Sequence, residues 1–123
     1  MVDITVRVPD SLAEKLEPMR AWLPYVLELS LAGFRTLAGQ TVSEIIEFLA
    51  SGPVPSEVLG YNATERASER AKRLLALNRA GIISSDEQLE LEELEQVEHI
   101  VTLLKAQAQE MLLEGNKWQQ KYP

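Results

Sequence analysis

The chain has 123 residues, of which 46% are apolar, and it contains no cysteine. This length suits one folded unit, or a small module with an extension, and the lack of cysteine excludes disulfides and thiolate metal sites. The net charge of −7 argues against non-specific binding to nucleic acids, because such binding depends on Lys and Arg neutralising phosphates. No signal peptide or membrane-spanning segment is recognisable, so we expect a cytoplasmic protein.

The first nine residues alternate in polarity, and this pattern predicts one short β-strand. Ile4, Val6 and Val8 fall on one side of it, and Thr5 and Arg7 fall on the other. An isolated strand is unstable, and no other segment has a convincing strand pattern. We therefore expect the same strand of a second copy to pair with it, as a two-stranded ribbon across a homodimer.

Two helical patterns follow the strand. Ser11 and Glu14 have the spacing of a capping box, which predicts a helix over 11–21, and Pro24 suits the first turn of a second helix. The second helix is apolar over most of its surface, so a dimer interface is expected to cover part of it. The predicted dimerisation residues on the strand and this helix are Ile4, Val6, Val8, Leu27, Leu31 and Phe34.

The rest of the chain predicts further helices separated by a turn-rich segment with two prolines. We divide the chain into a ribbon-forming dimerisation module (1–38), a connecting helix (39–52), a linker (53–63), an antiparallel helical hairpin (64–115) and a tail (116–123). The predicted fold is mainly α, with an N-terminal strand that pairs across a homodimer and a C-terminal helical hairpin.

The last predicted helix begins with a strongly acidic stretch, since residues 86–98 include seven acidic and no basic side chains. Farther along, apolar residues repeat with alternating spacings of three and four, which favours packing against another helix. The predicted partner-binding residues are Glu92, Glu95, His99 and Trp118. The alternative is a hairpin that packs only within its own chain and keeps its acidic side in solvent.

Signals of catalysis are weak. His99 is the only histidine, and the sequence has neither a glycine-rich phosphate loop nor a metal-ligand spacing. General acid–base chemistry at His99 would need a second positioned group and a pocket. We expect no enzymatic activity, no cofactor and no bound metal.

Residues 4–16, with the sequence ITVRVPDSLAEKL, resemble the opening of ribbon-helix-helix DNA-binding dimers, and the likeness covers about the first 35 residues. The resemblance implies that Thr5 and Arg7 read bases in the major groove of DNA. It also implies that the start of the second helix holds a phosphate on its backbone N–H groups. The residues there are Leu23, Pro24 and Tyr25.

The remainder resembles uncharacterised bacterial proteins, many of them cyanobacterial, and this similarity implies no assigned activity. It rests on two short groups of residues: Leu74, Leu75, Leu77, Asn78 and Arg79, then His99, Leu103, Leu104, Lys105 and Ala106. Ribbon-helix-helix proteins with helical C-terminal extensions are often antitoxins, whose extension wraps a toxin while the dimer binds its own operator.

The predicted function is a homodimeric DNA-binding transcriptional regulator, antitoxin-like, with an acidic C-terminal helical region that binds a partner protein. Operator DNA and a cognate toxin are its expected partners, and no membrane is involved. The alternative is a protein-interaction adaptor or assembly subunit that dimerises through the N-terminal strand and does not bind DNA. Salt-dependent binding to DNA distinguishes the two, because only a regulator that contacts phosphates should show it.

Overall fold

The computed structural model describes residues 2–62 and 65–121, with side chains described as far as residue 115. The regular secondary structure in these residues is helical throughout. The helices are α1 (Asp10–Leu16), a 3-10 helix (Glu17–Trp22), α2 (Leu23–Leu31), α3 (Ala38–Ala50), α4 (Pro55–Leu59), α5 (Glu65–Arg79) and α6 (Ser85–Lys121).

The predicted N-terminal strand is wrong, and with it the predicted ribbon-helix-helix-like fold. Residues 2–9 have no regular secondary structure, and the described ranges 2–62 and 65–121 contain no β-strand. A strand needs a neighbouring edge to satisfy its backbone N–H and C=O groups, and the described helices offer none. The fold is all-α, and alternating polarity alone did not produce a strand.

The first predicted helix is divided in two at Pro18. α1 ends at Leu16, and the chain continues as a 3-10 helix with Pro18 in its first turn. Proline has no N–H to donate and its ring obstructs the preceding turn, so an α-helix does not continue through it. Trp22, the last residue of this 3-10 helix, lies in the core. Its Nε1–H donates to the carbonyl oxygen of Pro53 over 2.9 Å.

The core lies between α2, α3, α4 and α6. α3 supplies one continuous apolar face because its buried residues recur at helical spacing. The buried apolar residues of this core are Trp22, Val26, Leu29, Val42, Ile45, Leu49, Val58, Val97, Ile100, Leu104 and Ala108. Within the predicted linker, residues 55–59 form α4, which joins this core through Val58, a residue with no exposed surface.

The turn after α3 depends on Gly52. Its φ of +73° is in the left-handed region that favours glycine, and a Cβ built there would lie 2.6 Å from the backbone oxygen of Pro18. The turn therefore packs against the backbone of the 3-10 helix at Pro18. It also places the carbonyl of Pro53 within hydrogen-bond distance of Trp22.

α5 and α6 follow one another through a short, well-defined turn. Gly81 has a φ of +74°, and the N–H of Ile82 donates to the oxygen of Leu77 over 3.1 Å, which ends α5 in a Schellman-type arrangement. Ser84 and Glu87 then exchange hydrogen bonds of 3.0 and 3.2 Å as a capping box that opens α6. Within α5 only one residue is fully buried, so most of this helix is a surface element.

Candidate protein-interaction surfaces

Residues 2–16, which we call the N-terminal arm, contribute no buried side chain. Val2, Ile4 and Val6 are 86%, 81% and 71% exposed, and Leu12 of α1 is also exposed. Isolated exposed apolar residues are common on protein surfaces, but a contiguous group is typical of an interaction surface. The N-terminal arm is therefore a candidate interaction surface.

The residues predicted to bind DNA are divided between two places. Thr5 and Arg7 are exposed on the N-terminal arm. Leu23 and Tyr25 are half-buried and Pro24 is exposed at the start of α2.

The start of α2 is poorly suited to a phosphate. The N–H of Leu23 already donates to the oxygen of Arg20, because the 3-10 helix runs directly into α2. Burial, together with the charges of Glu28 and Glu110, raises the pKa of Tyr25, so the surroundings are acidic. A phosphate here would meet negative charge and few free donors.

The predicted dimerisation residues are mostly accessible. Ile4 and Val6 are exposed on the N-terminal arm, while Leu27 and Leu31 are 51% and 83% exposed on α2. Val8 and Phe34 are half-buried, and Phe34 packs against the core of its own chain.

The acidic stretch of α6 has two different environments. Glu90 is 4% exposed and accepts a hydrogen bond of 2.5 Å from the guanidinium of Arg70, which raises the pKa of Arg70. Glu92, Glu95 and His99 are exposed, as a partner-binding surface requires. The side chain of Trp118, the fourth predicted partner-binding residue, lies outside the described residues.

Glu93 is the residue that sequence reasoning missed. It is 8% exposed, and its carboxylate accepts hydrogen bonds from the N–H of Arg35 at 2.9 and 3.0 Å. It also accepts from the N–H and hydroxyl of Thr36, at 2.9 and 2.7 Å. The N–H of Ala38 in turn donates to that hydroxyl over 3.2 Å. One carboxylate thus ties α6 to the turn that opens α3.

The electrostatics of Glu93 follow from this geometry. Burial raises the pKa of its carboxyl, but the hydrogen bonds from Arg35 and Thr36 outweigh burial and hold the pKa below its usual value. A sequence signal for this role existed, because Glu93 lies four residues before Val97 and seven before Ile100, on the buried face of α6.

Among the side chains that the structure describes, no group of three or more acidic or histidine residues could hold a metal ion. None of the described helices combines the length and the apolar character that crossing a membrane requires. No protein-family model, curated protein or solved structure matches this chain.

Proposed function

We propose that the protein is a homodimeric, non-catalytic regulatory subunit that acts by binding other proteins. The observation that supports this best is the N-terminal arm, where Val2, Ile4 and Val6 are all more than two-thirds exposed. Burying one large apolar side chain contributes about 1.5–3 kcal/mol, so a partner that covers several of them gains a substantial free energy.

A second copy of the chain suits this role. The same chain exposes Leu27 and Leu31 on α2, so each copy carries both an apolar arm and an apolar helix face. In a two-fold dimer, each N-terminal arm can lie on α2 of the other copy and make the same contact twice. This arrangement requires no β-strand.

Replacing Ile4 and Val6 together by serine is expected to convert the dimer to a monomer, because apolar contact is lost at two symmetric places. Sedimentation equilibrium measures the change. Helical circular dichroism should not change, since the two side chains are 81% and 71% exposed. Leu27→Ser with Leu31→Ser should have the same effect as the arm variant.

The matched control is Val54→Ser, because Val54 is 53% exposed but lies on the turn after α3. It should leave the dimer intact. A wild-type protein that is monomeric at tens of micromolar, or a dimer that survives both double substitutions, contradicts the proposal.

The second candidate is a DNA-binding transcriptional regulator of the antitoxin-like kind, favoured by the exposure of Thr5 and Arg7 on the N-terminal arm. A dimer would present two copies of Arg7, whose guanidinium suits the paired acceptors of guanine. The exposed acidic side chains of α6 would then meet a basic toxin. Asp3 beside Thr5 and the net charge of −7 oppose DNA binding, so this candidate stands second.

The DNA candidate predicts steeply salt-dependent binding to the DNA upstream of its own gene, over about 50 to 200 mM salt. Arg7→Ala should weaken this binding about 5- to 150-fold, which is the effect of losing one contact worth about 1–3 kcal/mol. Arg20→Ala is the control, because Arg20 lies 3.6 Å from Glu17 in an exposed ion pair. No measurable binding at low salt, or full binding by Arg7→Ala, eliminates DNA reading.

A further inference from the structure

A groove runs between α3, α5 and α6, on a different part of the molecule from the N-terminal arm. Its volume is about 510 Å³. Its apolar lining includes Ile45 of α3, Leu75 of α5, and Leu91, Val97 and Val101 of α6. Leu75 is 37% exposed, so part of this apolar lining is open to solvent.

The groove is as long as about four turns of an α-helix. The residues of α6 that line it extend from Leu91 to Lys105, which is about 21 Å at the rise of an α-helix. Ala67 and Ala71 of α5 lie along the opposite side, and their small side chains leave room between the two helices. The groove is too small to enclose a helix, which is about 10–12 Å across, but it can take the apolar side chains along one face of an amphipathic helix of about four turns.

The charges along the groove change sign along α6. Glu95 lines its first half and Glu98 its middle, both exposed and neither in an ion pair within the described residues. Lys105 lines it about 10 Å farther along α6. An occupant with Lys or Arg beside the two glutamates and an acid beside Lys105 would match these charges.

We propose that this groove binds a helical segment of a partner protein that has an apolar stripe flanked by basic side chains. The inference rests on the proposed role as a protein-binding subunit, but it assigns that binding to a surface separate from the N-terminal arm. The groove provides apolar area, and Glu95 with Glu98 select the charge of the partner.

The test uses two fluorescent helical peptides of about 14 residues, each with a leucine stripe. One carries lysines in the half that reaches Glu95 and Glu98, with a glutamate opposite Lys105, and the other has glutamates in place of those lysines. Fluorescence anisotropy should show binding of the lysine peptide and at least about tenfold weaker binding of the glutamate peptide.

Charge reversal by Glu95→Lys with Glu98→Lys should invert this preference, and these exposed positions do not threaten folding. The matched control, Glu92→Lys with Glu114→Lys, makes the same change in net charge at exposed positions outside the groove and should keep the preference. Ala71→Trp fills the groove and should weaken lysine-peptide binding at least about tenfold with helical circular dichroism unchanged.

Equal binding of the two peptides, or a preference that charge reversal does not change, overturns the proposal. Conversion of the dimer to a monomer by Ala71→Trp would show that a second copy occupies the groove, which also overturns it. The Ile4→Ser with Val6→Ser variant should keep peptide binding while losing the dimer, so failure of the groove proposal and failure of the dimer proposal are distinguishable.

Discussion

Replacing Glu93 by alanine is expected to lower the free energy of unfolding by about 1–3 kcal/mol, since it leaves several partly buried donors without their acceptor. The N–H groups of Arg35 and Thr36 and the hydroxyl of Thr36 all donate to this carboxylate. Urea denaturation followed by circular dichroism measures the loss. Glu93→Gln should be intermediate, because the amide keeps one acceptor oxygen but loses the charge.

The control for Glu93 is its neighbour Glu92, which is exposed and accepts a long hydrogen bond of 3.3 Å from Gln88. Glu92→Ala should change the stability by no more than about 0.5 kcal/mol. Equal effects of the two alanine substitutions would show that the Glu93 contacts make no net contribution to the free energy of unfolding.

The stabilisation by Glu93 should also depend on pH. Its pKa is lower in the folded state than the ordinary value of 4.5, so the folded state favours the ionised carboxylate. This contribution is fully present above the unfolded-state pKa and is lost as the pH falls through the folded-state pKa. The difference in stability between wild type and Glu93→Gln should therefore shrink below about pH 4.5. A difference that stays constant or grows as the pH falls would contradict the assignment.

Replacing Trp22 by alanine is expected to cost about 3–5 kcal/mol, because its ring fills the centre of the core. Trp22 is 1% exposed and joins the 3-10 helix to the turn after α3 through the carbonyl of Pro53. Trp22→Phe keeps most of the apolar volume but leaves that buried carbonyl without a donor, so about 1–3 kcal/mol should be lost.

Thermal or urea unfolding followed by circular dichroism separates the two Trp22 variants without relying on tryptophan fluorescence. Leu31→Ala is the control, since Leu31 is 83% exposed in the single chain and should affect unfolding much less at concentrations where the chain is monomeric. A Trp22→Ala protein as stable as the control would contradict this account of the core.

The apolar face of α3 follows from its sequence. Val42, Ile45 and Leu49 recur at spacings of three and four, and all three are buried. Pro18 and Gly81 act locally too, because each residue ends an α-helix through its own backbone geometry. These features depend on residues within one or two turns of each other.

The N-terminal segment shows the limit of such reasoning. Ile4, Val6 and Val8 have the spacing of a strand face, but a strand also needs a second edge, and its sequence cannot supply one. The exposure of Ile4 and Val6, and hence the apolar arm, depends on how the helices pack around a core that excludes both residues.

The candidate sites also combine features that follow from local sequence with features that follow from tertiary contacts. Sequence alone indicated the acidic start of α6, the turns between helices and the apolar periodicity of the core. Each of these depends on short-range sterics, on helix capping or on the burial of one helix face. Tertiary structure decided that Glu93 holds a turn 57 and 58 residues away and that Glu90 meets Arg70. It also decided that Ile45 and Leu75 line one groove with α6. Those outcomes depend on which helix faces meet in space, and contacts between distant residues leave no local pattern from which to deduce them.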